Sequence, residues 1–228
     1  MPRITISKED YLKAIMEAES EGLSVISATL AHWLSVSPPA VTMALRRLKK
    51  DGLVSVARDG RVQLTAQGRR IAQGTIRRHH LIERMLSEIF GMEWFKVHDE
   101  AERLEHAVSA AFEQKLAEKL GPGGLCPHGN LTVPESAPAR RKRGLIPLAE
   151  AEAGRTYRIG SVYERDRKLL EFLEHRKLRP GSRLRVVATN YDQTVTVATD
   201  SGQVSVGKPV AEKVWVAGPA ENGARTRR

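Results

Sequence analysis

Hydrophobic residues recur at helical spacing in the first part of the chain. They predict a helix that begins near Ser7 and ends before Gly22, a second over 27–34, and a third that starts after its capping residue Ser37. Two short runs of alternating hydrophobic residues follow, and the turn Arg58-Asp59-Gly60 between them predicts a β-hairpin. Two helices, a tight turn, a third helix and a hairpin are the elements of a winged helix-turn-helix.

The polar face of the third predicted helix is basic, so this helix would enter the major groove of DNA with its N-terminal end toward the bases. Small and apolar side chains at that end favour contacts with thymine methyl groups and shape readout over many bidentate hydrogen bonds. The candidate base-contacting residues are Ser37, Pro39, Ala40, Thr42 and Met43. The candidate phosphate-contacting residues are Arg47, Lys50, Arg58 and Arg61. The alternative is that these charges form only a solvated surface.

A long helix is predicted after Thr65, from Ala66 to about Phe90. Its apolar face is wider than a two-layer monomer needs, so we expect this helix to pack against its symmetry mate in a homodimer. A twofold dimer would also match a palindromic operator on double-stranded DNA. His79 and Glu83 are spaced i, i+4 on this helix, and such a pair taken alone is usually an exposed surface contact.

A second helix of the middle region carries two carboxylates and an imidazole on one face. Glu102, Glu105 and His106 are spaced i, i+3 and i+4, and His98 precedes this helix. A divalent cation would supply the counter-charge that such a cluster needs. The alternative is a solvated face that lies beside an apolar face of the same helix. That apolar face would consist of Leu104, Val108, Ala111 and Phe112.

Charge is unevenly distributed in this chain of 228 residues, whose formal net charge is +10. Acidic residues outnumber basic ones in the middle stretch 76–120, which also holds most of the histidines, whereas both flanks are basic. Basic flanks suit a polyanion, and an acidic, histidine-rich centre suits a cation. No apolar run predicts a membrane span or a signal peptide, and the single cysteine, Cys126, excludes an internal disulfide. We therefore expect a cytoplasmic protein.

The C-terminal part changes from helical to extended patterns. The predicted strands are Tyr157–Ser161, Arg183–Ala188, Thr194–Ala198, Val204–Val206 and Lys213–Val216, with a helix near 164–175. Short strands with few helices fit a small SH3-like barrel. Residues 126–148 are rich in proline and glycine and predict a linker, in which the basic run Arg140–Arg143 would be solvated.

These patterns predict a mostly α fold with small β parts. The expected domains are a winged helix-turn-helix (1–65), a helical metal-binding and dimerisation domain (66–125), the linker (126–148), an SH3-like domain (149–218) and a disordered tail (219–228).

Several stretches of the sequence resemble the diphtheria toxin repressor family of metal-dependent regulators. They are Glu9–Leu12, Arg47–Val54, Leu64–Gly68, Arg78–Arg84 and Val97–His106. The resemblance extends over the whole chain. It implies a winged helix, a helical dimerisation domain and a C-terminal SH3-like domain. It also implies a function in transcriptional regulation rather than catalysis.

The resemblance also implies two metal sites. The first, which would switch DNA binding, consists of Asp10, Glu102, Glu105 and His106. The second includes His79, Glu83 and His98. The run Cys126-Pro127-His128-Gly129 resembles the linker of manganese regulators that keep a C-terminal domain. There, Cys126 and His128 would join Glu83 and a carboxylate of the SH3-like domain, either Asp166 or Glu164. The alternative for Cys126 and His128 is an inert linker.

The ligand types at the first site resemble the manganese-responsive branch. Iron-responsive members typically have Met at the position of Asp10 and Cys at that of Glu102, whereas hard carboxylate oxygens suit Mn(II). Fe(II), Zn(II) and Co(II) are alternative ions. Lys13 stands where some manganese regulators have an acidic ligand, so the resemblance does not imply a binuclear centre of that kind.

We therefore expect a repressor of metal-uptake genes that responds to Mn(II). An iron-responsive regulator of the same family is the first alternative. A metal-dependent hydrolase is a second, although the chain shows no nucleophile–base pair and no glycine-rich phosphate loop. A metal-independent architectural DNA binder is a third, and it would leave the acidic, histidine-rich stretch without a purpose.

Overall fold

The computed structural model describes residues 4–121 and 123–218, which form two compact units. The first unit holds the described residues of Met1–Met92, Asp99–Cys126 and Leu131–Ala137. The second holds those of Glu93–His98, Pro127–Asn130 and Pro138–Arg228. The tail predicted to be disordered, 219–228, lies outside the described residues.

The N-terminal part of the first unit is a winged helix-turn-helix, as predicted. Its elements are α1 (Ile6–Ser20), α2 (Ser27–Trp33), α3 (Pro38–Lys50), β1 (Val54–Val56) and β2 (Val62–Leu64). Helix α1 begins slightly earlier than predicted, after the extended residue Thr5. The predicted cap of α3 is confirmed, since the backbone N–H of Ala40 donates to Ser37 Oγ. The core beneath α3 includes Leu12 and Ile15 of α1 together with Leu48 of α3, all of them buried.

Helix α4 (Ala66–Arg84) begins at the predicted cap Thr65, whose Oγ1 accepts a hydrogen bond from the Gly68 N–H at 3.1 Å. A β-carbon at Gly68 would lie 2.0 Å from the carbonyl oxygen of Leu53, so only glycine fits where α4 meets the hairpin. The helix continues as a π-helical turn over Met85–Ile89.

The next helical region departs from the sequence prediction. It consists of two helices, α5 (Val97–Leu104) and α6 (Ala110–Leu120), rather than one. The chain leaves the α-helix because the Ala107 N–H bonds to Leu104 O, three residues back, and Ser109 then caps α6 by accepting from the Phe112 N–H. Helix α5 begins at Val97, so His98 lies inside it rather than before it. Glu105 and His106 lie in the turn after α5 rather than on its helical face.

The second unit is built on a six-stranded antiparallel sheet in the order β3-β8-β4-β5-β6-β7. Its strands are β3 (Leu145–Pro147), β4 (Thr156–Val162), β5 (Arg183–Thr189), β6 (Val195–Thr199), β7 (Gly202–Val206) and β8 (Val214–Ala217). The α-helices of this part of the chain are α7 (Ala137–Lys142, whose first residue belongs to the first unit), α8 (Arg167–His175) and α9 (Lys208–Ala211). The fully buried side chains Leu170 and Leu173 of α8 belong to the core cluster of this sheet.

Part of the predicted linker is structured. Strand β3 and helix α7 lie within this linker, and Arg140 is buried, with its guanidinium 5.1 Å from the ring centroid of Trp215. Arg141 pairs with Glu150 at 2.6 Å. The prediction that this basic run is simply solvated was therefore wrong for Arg140, because its charge and stem pack on an aromatic ring.

A search of the helices in the described part of the chain found none whose length and apolar character would allow it to cross a membrane.

Candidate metal centre

The first candidate cluster joins helix α1 to the turn after α5, within the first unit. Asp10, Glu105 and His106 each offer a ligand atom, and these atoms lie within 4.8 Å of one another. Asp10 Oδ1 is 2.7 Å from His106 Nε2. The structure thus brings together three of the four residues expected at the switch site, which we call the Asp10 cluster.

Glu9 is a neighbour of this cluster that the sequence interpretation missed. Its Oε2 lies 2.8 Å from His106 Nδ1, so carboxylates of α1 contact both nitrogens of that imidazole. A carboxylate on one ring nitrogen fixes the orientation of the ring. Glu9 therefore suits the task of orienting His106.

Glu105 is the buried centre of this region, with no exposed surface. Its Oε2 accepts from Lys13 Nζ at 2.8 Å and lies 2.6 Å from His79 Nδ1. Its Oε1 makes no hydrogen bond with any described residue, and it lies 3.4 Å from His106 Nε2. A buried carboxylate oxygen without a donor is costly. A cation held with Asp10 and His106 would satisfy it, so these residues fit a hard divalent ion.

Glu102 lies in a neighbouring ion pair rather than in the Asp10 cluster. Its Oε1 accepts from Lys13 Nζ at 2.8 Å, and about a third of its side chain is exposed. Spacing along the chain therefore located Glu102 near the cluster but could not reveal its bond to a lysine 89 residues away.

Burial and charge act together on the titratable groups here. Burial raises the pKa of Asp10, and the attraction of His106 opposes that shift without cancelling it. Burial alone would lower the pKa of the Lys13 ammonium, but the charges of Glu17, Glu105 and Glu102 outweigh burial and raise it. The Lys13 shift therefore reflects the excess of carboxylates around it, whereas the Asp10 shift comes mainly from burial.

His79 is also charged in this environment. Burial and the neighbouring ammonium would both lower its pKa. The carboxylates of Glu83 and Glu105 outweigh them and raise the pKa of His79 to about 10. A cation that takes His79 as a ligand must therefore displace a proton.

A second cluster in the first unit contains a thiol. His80, Glu83 and Cys126 are all buried, and their ligand atoms lie within 4.8 Å of one another. We call this set the Cys126 cluster. The sequence interpretation missed His80, although its spacing of three residues from Glu83 on α4 puts both on one helical face. His79 Nε2 lies 3.1 Å from Glu83 Oε1, and both residues are buried, so they are not the exposed surface pair that was the alternative.

The remaining candidates for the second site, His98, His128, Glu164 and Asp166, belong to the second unit. The rings of His98 and His128 have centroids 6.2 Å apart. His128 Nε2 lies 2.9 Å from the carbonyl oxygen of Trp94, to which it can only donate. Its Nδ1 lies 3.6 Å from Glu164 Oε2.

The structure distinguishes the two candidate carboxylates of the SH3-like domain. Asp166 caps α8 by accepting from the Leu169 N–H at 3.0 Å, and it also lies 3.1 Å from Lys213 Nζ. Glu164 instead lies beside His128. Of the two, Glu164 is therefore better placed to act together with an imidazole.

The DNA-binding candidates all lie on exposed surface. Ser37, Pro39, Ala40, Thr42, Met43, Arg47 and Lys50 are exposed on or beside α3, and Arg58 and Arg61 are exposed in the hairpin. Arg61 Nε donates to Asp59 Oδ2 at 2.6 Å, an exposed pair that can exchange for a phosphate.

Models of known families match three parts of the chain. Residues 3–62 match the iron-dependent repressor N-terminal DNA-binding domain, and residues 65–133 match the iron-dependent repressor metal-binding and dimerisation domain. Residues 146–218 match the FeoA domain. These matches follow the order expected from the sequence.

Similar proteins are transcriptional repressors, which are not enzymes. The diphtheria toxin repressor of Corynebacterium jeikeium is 30% identical over 230 residues, which cover 91% of this chain and 95% of that protein. The iron-dependent repressor IdeR of Mycobacterium tuberculosis is 37% identical over 130 residues, or 57% of this chain and 56% of that protein.

Solved structures of manganese regulators are also similar. A manganese-dependent transcriptional repressor in complex with manganese has a TM-score of 0.81 at 33% identity, covering 92% of this chain and 99% of that one. The manganese regulator SloR has a TM-score of 0.75 at 29% identity, covering 94% and 100%. On the strength of the near full-length likeness to the Corynebacterium jeikeium protein, the chain belongs to the diphtheria toxin repressor family of metal-dependent transcriptional repressors.

Proposed function

We propose that this protein represses metal-uptake genes in the cytoplasm when Mn(II) is abundant, as a homodimer on a palindromic operator. The observation that carries the proposal is the Asp10 cluster, because it joins the DNA-binding part of the first unit to the helical part. The match of residues 65–133 to a dimerisation domain supports the homodimer.

Asp10 is well placed to control the recognition helix. It lies on α1, and the buried residues Leu12 and Ile15 of the same helix share a core with α3. A restraint on Asp10 is therefore passed to α3 through close packing. In this proposal, Asp10, Glu105 and His106 hold the ion, which supplies the positive charge that their carboxylates lack.

The donor types favour Mn(II). Asp10 and Glu105 offer carboxylate oxygens, His106 offers an imidazole, and no described member of the cluster offers sulfur. Hard donors suit Mn(II), although Zn(II) can bind the same residues more tightly in the general stability order of divalent ions. An iron-responsive regulator is the second candidate, because IdeR and other iron-dependent repressors are among the relatives.

We further propose that the Cys126 cluster binds a second ion. Its imidazole, carboxylate and thiol are a mixed donor set, and the thiol makes it more favourable to Zn(II) than the Asp10 cluster is. Occupancy of this cluster therefore does not identify the ion that controls DNA binding.

Exposed apolar side chains in the first unit support association between copies. Phe90 is 70% exposed, and Ile89 and Phe112 are also exposed large hydrophobic residues. Side chains of this kind are commonly covered by a partner subunit. Two recognition helices related by a twofold axis would then read two half-sites about one helical turn apart.

Operator binding measured at matched free concentrations of Mn(II), Fe(II) and Zn(II) tests the proposed function. We expect Mn(II) to tighten operator binding more than Fe(II) does at the same free concentration, and a chelator to reverse the effect. Stronger activation by Fe(II) than by Mn(II) would move the protein to the iron-responsive branch. Equal operator affinity with and without any of these metals would reject metal-dependent repression.

A further inference from the structure

Lys13 is a buried lysine surrounded by groups that normally bind a metal. Only 2% of the residue is exposed. Its Nζ lies 2.8 Å from Glu102 Oε1, 2.8 Å from Glu105 Oε2 and 3.1 Å from His79 Nδ1. Lysine is almost never buried to this degree unless it is paired, so the surrounding carboxylates are what keep it there.

The groups around Lys13 come from different parts of the first unit. Lys13 lies on α1, His79 on α4, Glu102 on α5, and Glu105 in the turn after α5. Two carboxylates converge on one point with an imidazole from separate elements, and once the imidazole loses its proton they form the kind of donor set that holds a divalent ion. Here that point is taken by an ammonium group attached to the protein itself.

Glu105 connects this point with the Asp10 cluster. Its Oε2 bonds to Lys13, whereas its Oε1 is the oxygen without a hydrogen-bond donor that lies near His106. The two oxygens of the Glu105 carboxylate thus face two different cation positions. The proposed metal and the ammonium would be neighbours that share Glu105.

We propose that the Lys13 ammonium is a built-in cation that fills a second cation position beside the Asp10 cluster. This inference rests on the proposed function, because it takes the Asp10 cluster to be the metal site. It has two consequences. The site holds a single exchangeable ion, and α1 is already bridged to α4 and α5 before that ion binds.

The test compares the wild-type protein with Lys13→Gln, which removes the ammonium but keeps a polar side chain of similar length. Lys115→Gln is the matched control, because it makes the same change at an exposed lysine of α6 that pairs with Glu118. Bound Mn(II) per chain is measured by equilibrium dialysis with metal analysis. Electron paramagnetic resonance then shows whether two Mn(II) ions are spin-coupled, as ions roughly 3.5–4 Å apart would be.

We expect Lys13→Gln to bind one more Mn(II) per chain than the wild-type protein and Lys115→Gln, and to show a spin-coupled pair that they lack. An unchanged stoichiometry without coupling in folded Lys13→Gln would overturn the inference. If that variant does not fold, the electron paramagnetic resonance of the Mn(II)-loaded wild-type protein tests the inference by itself. A spin-coupled pair in the wild-type protein that Glu102→Gln removes overturns the inference, and uncoupled Mn(II) supports it.

The metal-free proteins provide a second readout. Hydrogen exchange of the α1 amides should be faster in metal-free Lys13→Gln than in the metal-free wild-type protein, and Mn(II) should slow it again. Equal protection of α1 in the two metal-free proteins would show that Lys13 does not bridge the helices. Failure of the proposed function gives a different result: the operator affinity of the wild-type protein would then be the same with and without metal.

Discussion

At the scale of single residues, Glu105 links the stability of the first unit to its candidate metal chemistry. It is buried and contacts Lys13 and His79 through one oxygen, while the other oxygen faces His106. Removing its charge takes one counter-charge away from a buried ammonium and a buried imidazolium. Glu105 is therefore a structural residue in the metal-free protein as well as a candidate ligand.

We predict that Glu105→Gln destabilises the metal-free protein by about 3–5 kcal/mol, the typical cost of breaking a buried ion pair from one side. Urea unfolding followed by circular dichroism measures this change. Glu118→Gln on exposed α6 is the control and should shift the free energy of unfolding by less than about 0.5 kcal/mol. Equal stability of the two variants would contradict the role of Glu105 in the buried network.

The stabilising effect of Glu105 should depend on pH. Burial would raise the pKa of Glu105, but its bond to His79 and the charge of Lys13 outweigh burial and lower it. A carboxyl group whose pKa is lower in the folded state contributes stability above its unfolded pKa, and this contribution is lost as the pH falls through its folded pKa. We therefore predict that the stability difference between wild-type and Glu105→Gln is full at neutral pH and shrinks below about pH 4.5. A difference independent of pH in unfolding titrations would contradict this.

Cys126 offers a separate test of the second cluster. We predict that Cys126→Ser loses one metal equivalent per chain, or binds it far more weakly, because a hydroxyl replaces the softer sulfur ligand beside His80 and Glu83. Calorimetry with Zn(II) measures the loss, and the transition attributed to the Asp10 cluster serves as the internal control. Unchanged stoichiometry and affinity would show that Cys126 is not a metal ligand and has only a structural role.

At the scale of elements, the recognition helix α3 is the part that the sequence predicts best. Its cap, its buried residues Val41, Leu45 and Leu48 and its exposed basic side are all local patterns, and all are observed. Patterns of this kind arise because a helix alternates buried and exposed positions with its own period.

Contacts between distant residues could not be predicted in the same way. Spacing identified Glu105 and His106, but not that Lys13 would occupy the space between Glu102 and Glu105. Glu9 was missed for the same reason, since its partner His106 lies far away in the chain. His80 was missed although its spacing of three residues from Glu83 on α4 could have revealed it. The break between α5 and α6 was missed because the apolar spacing continues through the capping residue Ser109. Strand β3 is short, contains Pro147, and forms only by pairing with β8.

We expect the basic side of helix α3 to position the protein on DNA by contacting phosphates. We predict that Arg47→Ala weakens binding to operator and random DNA by similar factors and lowers the salt slope by about one unit, because one phosphate contact is lost. Fluorescence anisotropy over a range of salt concentrations measures the slope. Arg103→Ala, an exposed arginine on α5, is the control for the loss of one charge. A slope unchanged from the wild-type value in Arg47→Ala would remove Arg47 from the DNA interface.

At the scale of the whole molecule, the proposed function makes metal binding and DNA binding two readouts of one restraint. The Asp10 cluster ties α1 to the segment after α5, and the core of the winged helix carries that restraint to α3. Thermodynamic linkage requires that an operator tightens metal binding by the same factor by which the metal tightens operator binding. Couplings of this type are commonly 5-fold to 150-fold.

The central claim is that the Asp10 cluster switches operator binding. The variant Asp10→Ala tests it most directly, because Asp10 lies at the partly exposed edge of the cluster rather than in its buried centre. The measurement is the ratio of operator dissociation constants in a chelator and in saturating Mn(II). We predict a wild-type ratio of about 5 to 150 and a ratio near one for Asp10→Ala, with circular dichroism and dimer mass unchanged. An Asp10→Ala protein that keeps the wild-type ratio would contradict the claim.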